Sequence, residues 1–124
     1  MLGDRRDWDR LIRDLSHAAN AAIIFVEYSR SPEVRYPVAI EEAYASTQWV
    51  SENGSEINVD GSRFAIAGDS AGGNMVAAVT LLAKQRWGPK VNFQVMFYPN
   101  TDASFSSDSY KQFASLGIFS VVKT

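Results

Sequence analysis

The stretch from residue 63 to residue 86 constrains this chain more than any other. Residues 63–67 (Arg, Phe, Ala, Ile, Ala) read as a short buried strand. Gly68, Asp69, Ser70, Ala71, Gly72 and Gly73 follow as a turn. The spacing of Met75, Val76, Val79 and Leu82 then predicts a helix over 71–86. A strand that runs through Gly-x-Ser-x-Gly straight into a helix must bend sharply. The bend lifts one side chain, here Ser70, above the end of a sheet. Glycines are expected at 68 and 72 because a side chain would collide in so tight a turn.

The flanking sequence supplies the sheet and its cover. Trp8, Leu11, Ile12, Leu15 and Ala19 fall at helical spacing and predict an amphipathic helix over about residues 7–20. Residues 21–28 are continuously apolar, which predicts a strand covered on both faces. Ser31, Pro32, Tyr36 and Pro37 punctuate a loop. Pro37 suits the first turn of a helix whose buried stripe is Ile40, Ala43, Tyr44, Thr47 and Val50, and Asn53 and Gly54 are expected to stop it. After the Ser70 helix come Trp87, Gly88 and Pro89, a strand over 91–98, an irregular polar segment over 99–108 and a short helix over 109–116. Alternating strands and crossover helices predict an α/β fold, a parallel sheet with helices on both faces. No repeat or linker divides residues 1–124, so one domain is expected. Ligands of such sheets sit beyond the carboxyl ends of the strands, where Ser70 falls.

Composition narrows the function classes. With 46% hydrophobic and 21% charged residues, the chain is of ordinary globular rather than disordered make-up. A net charge of −2 with interspersed signs argues against a nucleic-acid partner. The absence of cysteine excludes disulfides and thiolate metal sites. No apolar run reaches the roughly 18 residues of a membrane span, and the first residues lack a signal-peptide core. A cytoplasmic location is the expectation.

The chemistry centres on Ser70. The N–H of Ala71 points into the same space and can donate to a developing oxyanion, helped by the positive end of the helix dipole. Gly68 to Met75 resembles the nucleophile turn of α/β-hydrolases of the hormone-sensitive-lipase type, the bacterial esterase and acetylhydrolase group. Val26, Glu27, Tyr28, Ser29, Arg30, Ser31, Pro32 and Glu33 resemble that family's Tyr-Arg-Leu-Ala-Pro-Glu segment. Tyr36, Pro37, Val38 and Ala39, with Glu41, Ala43, Tyr44 and Trp49, resemble its Phe-Pro-Ala-Ala helix entry. Phe97, Tyr98 and Pro99 resemble the end of the strand after the nucleophile helix. The likeness runs in order over about residues 1–116.

The resemblance implies a serine carboxylic ester hydrolase acting on short-chain acyl esters. Ser70 would be the nucleophile and the Ala71 N–H an oxyanion donor, with no metal or organic cofactor. It also implies a partial α/β-hydrolase fold. The family's His-Gly-Gly-Gly oxyanion loop and the strand before it precede the stretch that Met1 to Asp4 resemble. Its acid and histidine follow far beyond the serine, whereas the one histidine here, His17, lies upstream. The missing strand would sit between those expected at 21–28 and 63–67.

Other residues carry competing readings. Asp102 follows the third strand, where some members place the acid, but a loop aspartate commonly caps a turn. Asp69 reads as structural, and His17 as exposed on the polar face of its helix. Trp8, Tyr44, Trp49 and Phe97 are expected in the core. Glu33 and Arg35 are placed to pair in their loop. Alternatives to an esterase are a noncatalytic fragment that binds a small molecule or partner, and a lipase or peptidase of the same fold. Oligomeric state and acyl preference are not encoded legibly. An unfilled central strand position leaves apolar edges, so the 124-residue chain is expected to be marginally stable by itself. Thermal unfolding followed by circular dichroism checks this, and a cooperative melt of the purified monomer well above ordinary temperatures would contradict it.

Overall fold

A computed structural model describes residues 5–104 and 106–113. In chain order it contains α1 (Arg5–Ala19), α2 (Val38–Asn53), a 3₁₀ turn (Gly54–Ile57), β1 (Ala65–Asp69), α3 (Ala71–Gln85), β2 (Phe93–Phe97) and α4 (Asp108–Phe113). The strands β1 and β2 are parallel and in register from Ala65 opposite Phe93 to Asp69 opposite Phe97. The connection between them is α3, which packs on both. This is one β–α–β unit of an α/β fold, as the alternating pattern predicts. The part of the 109–116 helix beyond Phe113 lies outside the described residues.

The core forms where α2 crosses α3. Tyr44, Val79 and Ala83 are buried together, with Ala43, Ile66 and Leu82 packed against them, and Val76 is buried one turn earlier on α3. Residues 76, 79 and 83 recur at three and four positions, the stripe that one helix face presents. Side-chain alternation along a strand puts Ile66 on the α3 side of the sheet. Gln94, its partner in register, lies on the same side, its Oε1 3.2 Å from Thr80 Oγ1.

A polar clamp aligns the two helices. The Arg86 guanidinium donates to both carboxylate oxygens of Glu41, at 2.7 and 2.6 Å, and lies 4.8 Å above the Tyr44 ring. These hydrogen bonds hold the Glu41 carboxyl below its ordinary pKa. The clamp therefore works fully above the usual carboxylate range and is lost as pH falls through the lowered value. A Cβ at Gly88 would overlap the Tyr44 hydroxyl, so the turn after α3 closes directly over that ring.

Three expectations change. Residues 22–30 form no strand, and Ile23, Ile24 and Phe25 are exposed. A ladder needs a neighbour, and among the described residues β1 has only β2. The end of this segment is instead pinned to α2, because the Ser29 N–H and O–H both donate to the Glu42 carboxylate at 2.7 and 2.8 Å. Among the described residues α3 packs on both strands and on α2, and α1 contacts no other element.

Phe97 and Trp49 are not core residues, at 47% and 44% exposure. Phe97 alternates to the sheet face turned away from α3, and Trp49 lies five residues, about 140° around α2, from Tyr44. Glu33 and Arg35 form no ion pair among the described residues. Tyr44 is buried as expected, Trp8 is partly buried and His17 is exposed. Truncating Tyr44 to Ala should cost about 3 kcal/mol or more in urea unfolding. Tyr44→Phe should cost far less, because the ring and not the hydroxyl fills the core.

Candidate active site

Ser70 sits between the last residue of β1 and the first of α3 at φ 50°, ψ −114°. That is the sparsely populated left-handed side, where a non-glycine residue persists only if its surroundings hold it. Two backbone bonds do so. The Ser70 N–H donates to the Phe97 carbonyl at 2.9 Å, extending the β1–β2 ladder by one rung. The Ser70 carbonyl accepts from the Asn74 N–H at 3.1 Å, starting α3.

The conformation decides what the hydroxyl can do. A serine before a helix ordinarily turns its Oγ back onto the second or third helical N–H. Here Ser70 makes no such cap bond and is exposed. Its Oγ makes no bond back onto its own helix, and the N–H of Ala71 at the head of α3 has no intrahelical partner. A serine hydroxyl thus stands beside an unfilled donor at the positive end of a helix dipole.

The glycines divide the steric work unevenly. A Cβ at Gly68 would overlap the Gly72 carbonyl group. A Cβ at Gly73 would come within 3.0 Å of Pro99 Cβ and 3.2 Å of the Gly68 oxygen. At Gly72 it would meet only Asp69 Oδ1, at 3.9 Å, which is ordinary contact. The collision expected at Gly72 therefore falls on Gly73. The reason is rotation along α3: residue 73 faces the turn after β2, while residue 72 faces outward.

The remaining acids serve the local structure. Asp69 closes β1 and accepts a hydrogen bond from the Tyr98 hydroxyl at 3.3 Å, and its charge raises the Tyr98 pKa. Tyr28 also feels that charge. Its pKa is raised chiefly by burial, opposed by Arg30 and assisted by Asp69. Asp102 accepts the Ser104 N–H on Oδ1 at 2.8 Å and the Ser104 O–H on Oδ2 at 2.6 Å. Those two bonds hold the carboxyl below its ordinary pKa. It caps its own turn, although it also lines an open cleft of about 640 Å³ with Ala71, Asn74, Met75, Tyr28 and Arg35.

Sequence reasoning missed two residues here. Asn74 Nδ2 donates to the Asn100 carbonyl at 2.7 Å, tying the first turn of α3 to the loop after β2. An asparagine inside a helix is a poor helix former, and that was the available signal. Tyr98, at φ 37°, turns the chain out of β2 beside Asp69. Among the described residues no helix is long and apolar enough to cross a membrane.

Residues 1–121 match a family described as the alpha/beta hydrolase fold. The chain is 41% identical over 101 residues to Esterase LipI of Mycobacterium tuberculosis, covering 82% of this chain and 32% of that protein. It is 39% identical over 117 residues to Carboxylesterase NlhH of the same organism, covering 94% of this chain and 37% of that protein. A thermostable esterase from Pseudomonas putida of solved structure is 52% identical with a TM-score of 0.88, over 97% of this chain and 38% of that one. The chain thus spans about a third of the length of each.

The geometry makes the three glycines separable by experiment. Gly68→Ala should lower the unfolding free energy by about 2 kcal/mol or more, and Gly73→Ala by a similar or smaller amount. Gly72→Ala should be neutral or stabilise by up to about 1 kcal/mol. Urea titrations of the three variants check that order.

Proposed function

This chain belongs to the alpha/beta hydrolase fold family, and on that premise we propose that it carries the nucleophile half of a serine carboxylic ester hydrolase. The supporting observation is the uncapped, exposed Ser70 hydroxyl held at φ 50° above the end of the sheet. In this reading Ser70 Oγ attacks the carbonyl carbon of a short-chain acyl ester. The carbonyl oxygen takes the negative charge and accepts from the Ala71 N–H. The alcohol leaves with the proton lost by the serine, and water cleaves the acyl-enzyme by the reverse of the same steps.

Ser70 needs a base for the first step, since an unassisted hydroxyl is a weak nucleophile. The single histidine, His17, is exposed on α1, which contacts none of the elements that form the turn. Asp102 is engaged by Ser104. The 124 residues therefore hold a nucleophile and one oxyanion donor, and the proposal assigns no base among them. Acyl transfer by the isolated chain is accordingly expected close to background.

Two measurements test the reading. The isolated chain should hydrolyse p-nitrophenyl acetate no faster than its Ser70→Ala variant. Exchanged for the matching segment of the Pseudomonas putida esterase, it should support hydrolysis that Ser70→Ala lowers by about 10⁴-fold or more. Activity of the exchanged protein that survives Ser70→Ala would overturn the assignment of the nucleophile. Ser70-dependent turnover by the isolated chain at an esterase rate would overturn the claim that the base is missing.

A further inference from the structure

The far end of α3 carries a second unusual feature. The helix closes with the Gly88 N–H donating to the Ala83 carbonyl at 2.9 Å, the six-to-one bond of a Schellman motif. The left-handed position of that motif is ordinarily glycine. Here it is Trp87, at φ 53°, with its side chain thrown outward so that the residue is 95% exposed. A bulky residue at positive φ is a strained choice, and such strain often marks a place where the side chain is used. The neighbouring glycine is committed elsewhere, since a Cβ at Gly88 would overlap the Tyr44 hydroxyl.

The surroundings give that indole a chemical character. Trp87, Lys84, Lys90, Pro89 and Ala83 line a shallow groove of about 360 Å³, and no carboxylate lines it. Neither lysine forms an ion pair or hydrogen bond among the described residues. The adjacent Arg86 is already matched by Glu41. In a chain of net charge −2, this patch is locally cationic around one exposed aromatic ring.

We propose that the Trp87, Lys84 and Lys90 patch docks onto an anionic phospholipid surface. Tryptophan settles at the headgroup level, with its ring among acyl chains and its N–H toward water. Lysines beside it reach lipid phosphates and carboxylates while their stems lie along the apolar boundary. An acidic protein would need a shaped knob to fill the groove, whereas a fluid surface accommodates one protruding ring and two flexible cations. The patch lies at the opposite end of the 15-residue α3 from Ser70, roughly 22 Å along the axis, and does not depend on the reading of that site.

The test is co-sedimentation of the full chain with vesicles of phosphatidylcholine alone and of phosphatidylcholine mixed with phosphatidylserine. Binding is expected to the mixed vesicles only, and to weaken as salt rises. Lys84→Ala with Lys90→Ala should weaken it about twenty-five-fold, taking roughly fivefold for each lysine. Trp87→Gly should weaken it by about tenfold or more. Because glycine suits the left-handed position, that variant should melt at a higher temperature than the parent, so lost binding cannot be ascribed to lost folding. The blue shift of tryptophan fluorescence on binding should vanish in Trp87→Gly although Trp8 and Trp49 remain. Equal binding to neutral vesicles, unchanged binding by these variants, or no binding to anionic vesicles would overturn the proposal. Retention on immobilised polyglutamate without vesicle binding would overturn it in favour of an acidic protein partner.

Discussion

The structure depends on how closely the backbone of β1 can approach the first turn of α3. At Gly68 the approach leaves no space for a side chain, because the Gly72 carbonyl occupies it. At Gly73 the same crowding comes from Pro99 and the Gly68 oxygen. The Ser70 N–H then closes the wedge onto the Phe97 carbonyl. The first turn of α3 therefore meets both strand ends through backbone atoms. Ser70 and Tyr98, the residues that follow the two strands, both take positive φ. Strain of this kind, typically about 1–3 kcal/mol per residue, persists only where neighbours over-determine the conformation. The ladder rung, the helix-starting bond and the Asn74–Asn100 tie supply that determination. The chemical result is an unusual serine, which precedes a helix without capping it.

The other end of α3 is anchored by different means. Tyr44 from α2 fills the space beside Val79 and Ala83, and Arg86 covers its ring while pairing with Glu41. Burial supplies most of the stabilisation here, since a half-exposed ion pair contributes little and mainly fixes orientation. The ring also dictates the next turn. Its hydroxyl leaves no room for a Cβ at Gly88, and Trp87 takes the left-handed position. One helix thus joins two demanding termini. Its start is shaped by backbone contact with the sheet, and its end by side-chain contact with α2.

How much could be read in advance follows from the range of each interaction. The helices and the two paired strands were legible because their periodicity is local. The turn between β1 and α3 was legible because its glycines and serine are contiguous. Residues 21–28 misled, since a continuous apolar run reports that cover is needed and not that a neighbouring strand is present. Phe97 and Trp49 misled for a related reason. Their hydrophobicity suits a core, but the sheet face and helix angle that they occupy turn away from the α2–α3 core. The roles of Asn74 and Tyr98 were not legible because their partners, Asn100 and Asp69, lie 26 and 29 residues away.

The amino-acid sequence by itself determined the β–α–β order, the serine at the strand–helix junction and the presence of a single histidine, far upstream. These follow from spacing, turn chemistry and composition, which need no knowledge of distant contacts. Tertiary structure alone decided which glycine bears the crowding, that the Ser70 hydroxyl leaves its helix uncapped, that Asp102 is engaged by Ser104, and that Trp87 faces solvent. Each of these depends on what another segment places against the residue. The approach of Pro99 to Gly73 and of Tyr44 to Gly88 is set by packing across the fold, not by the residues next in sequence.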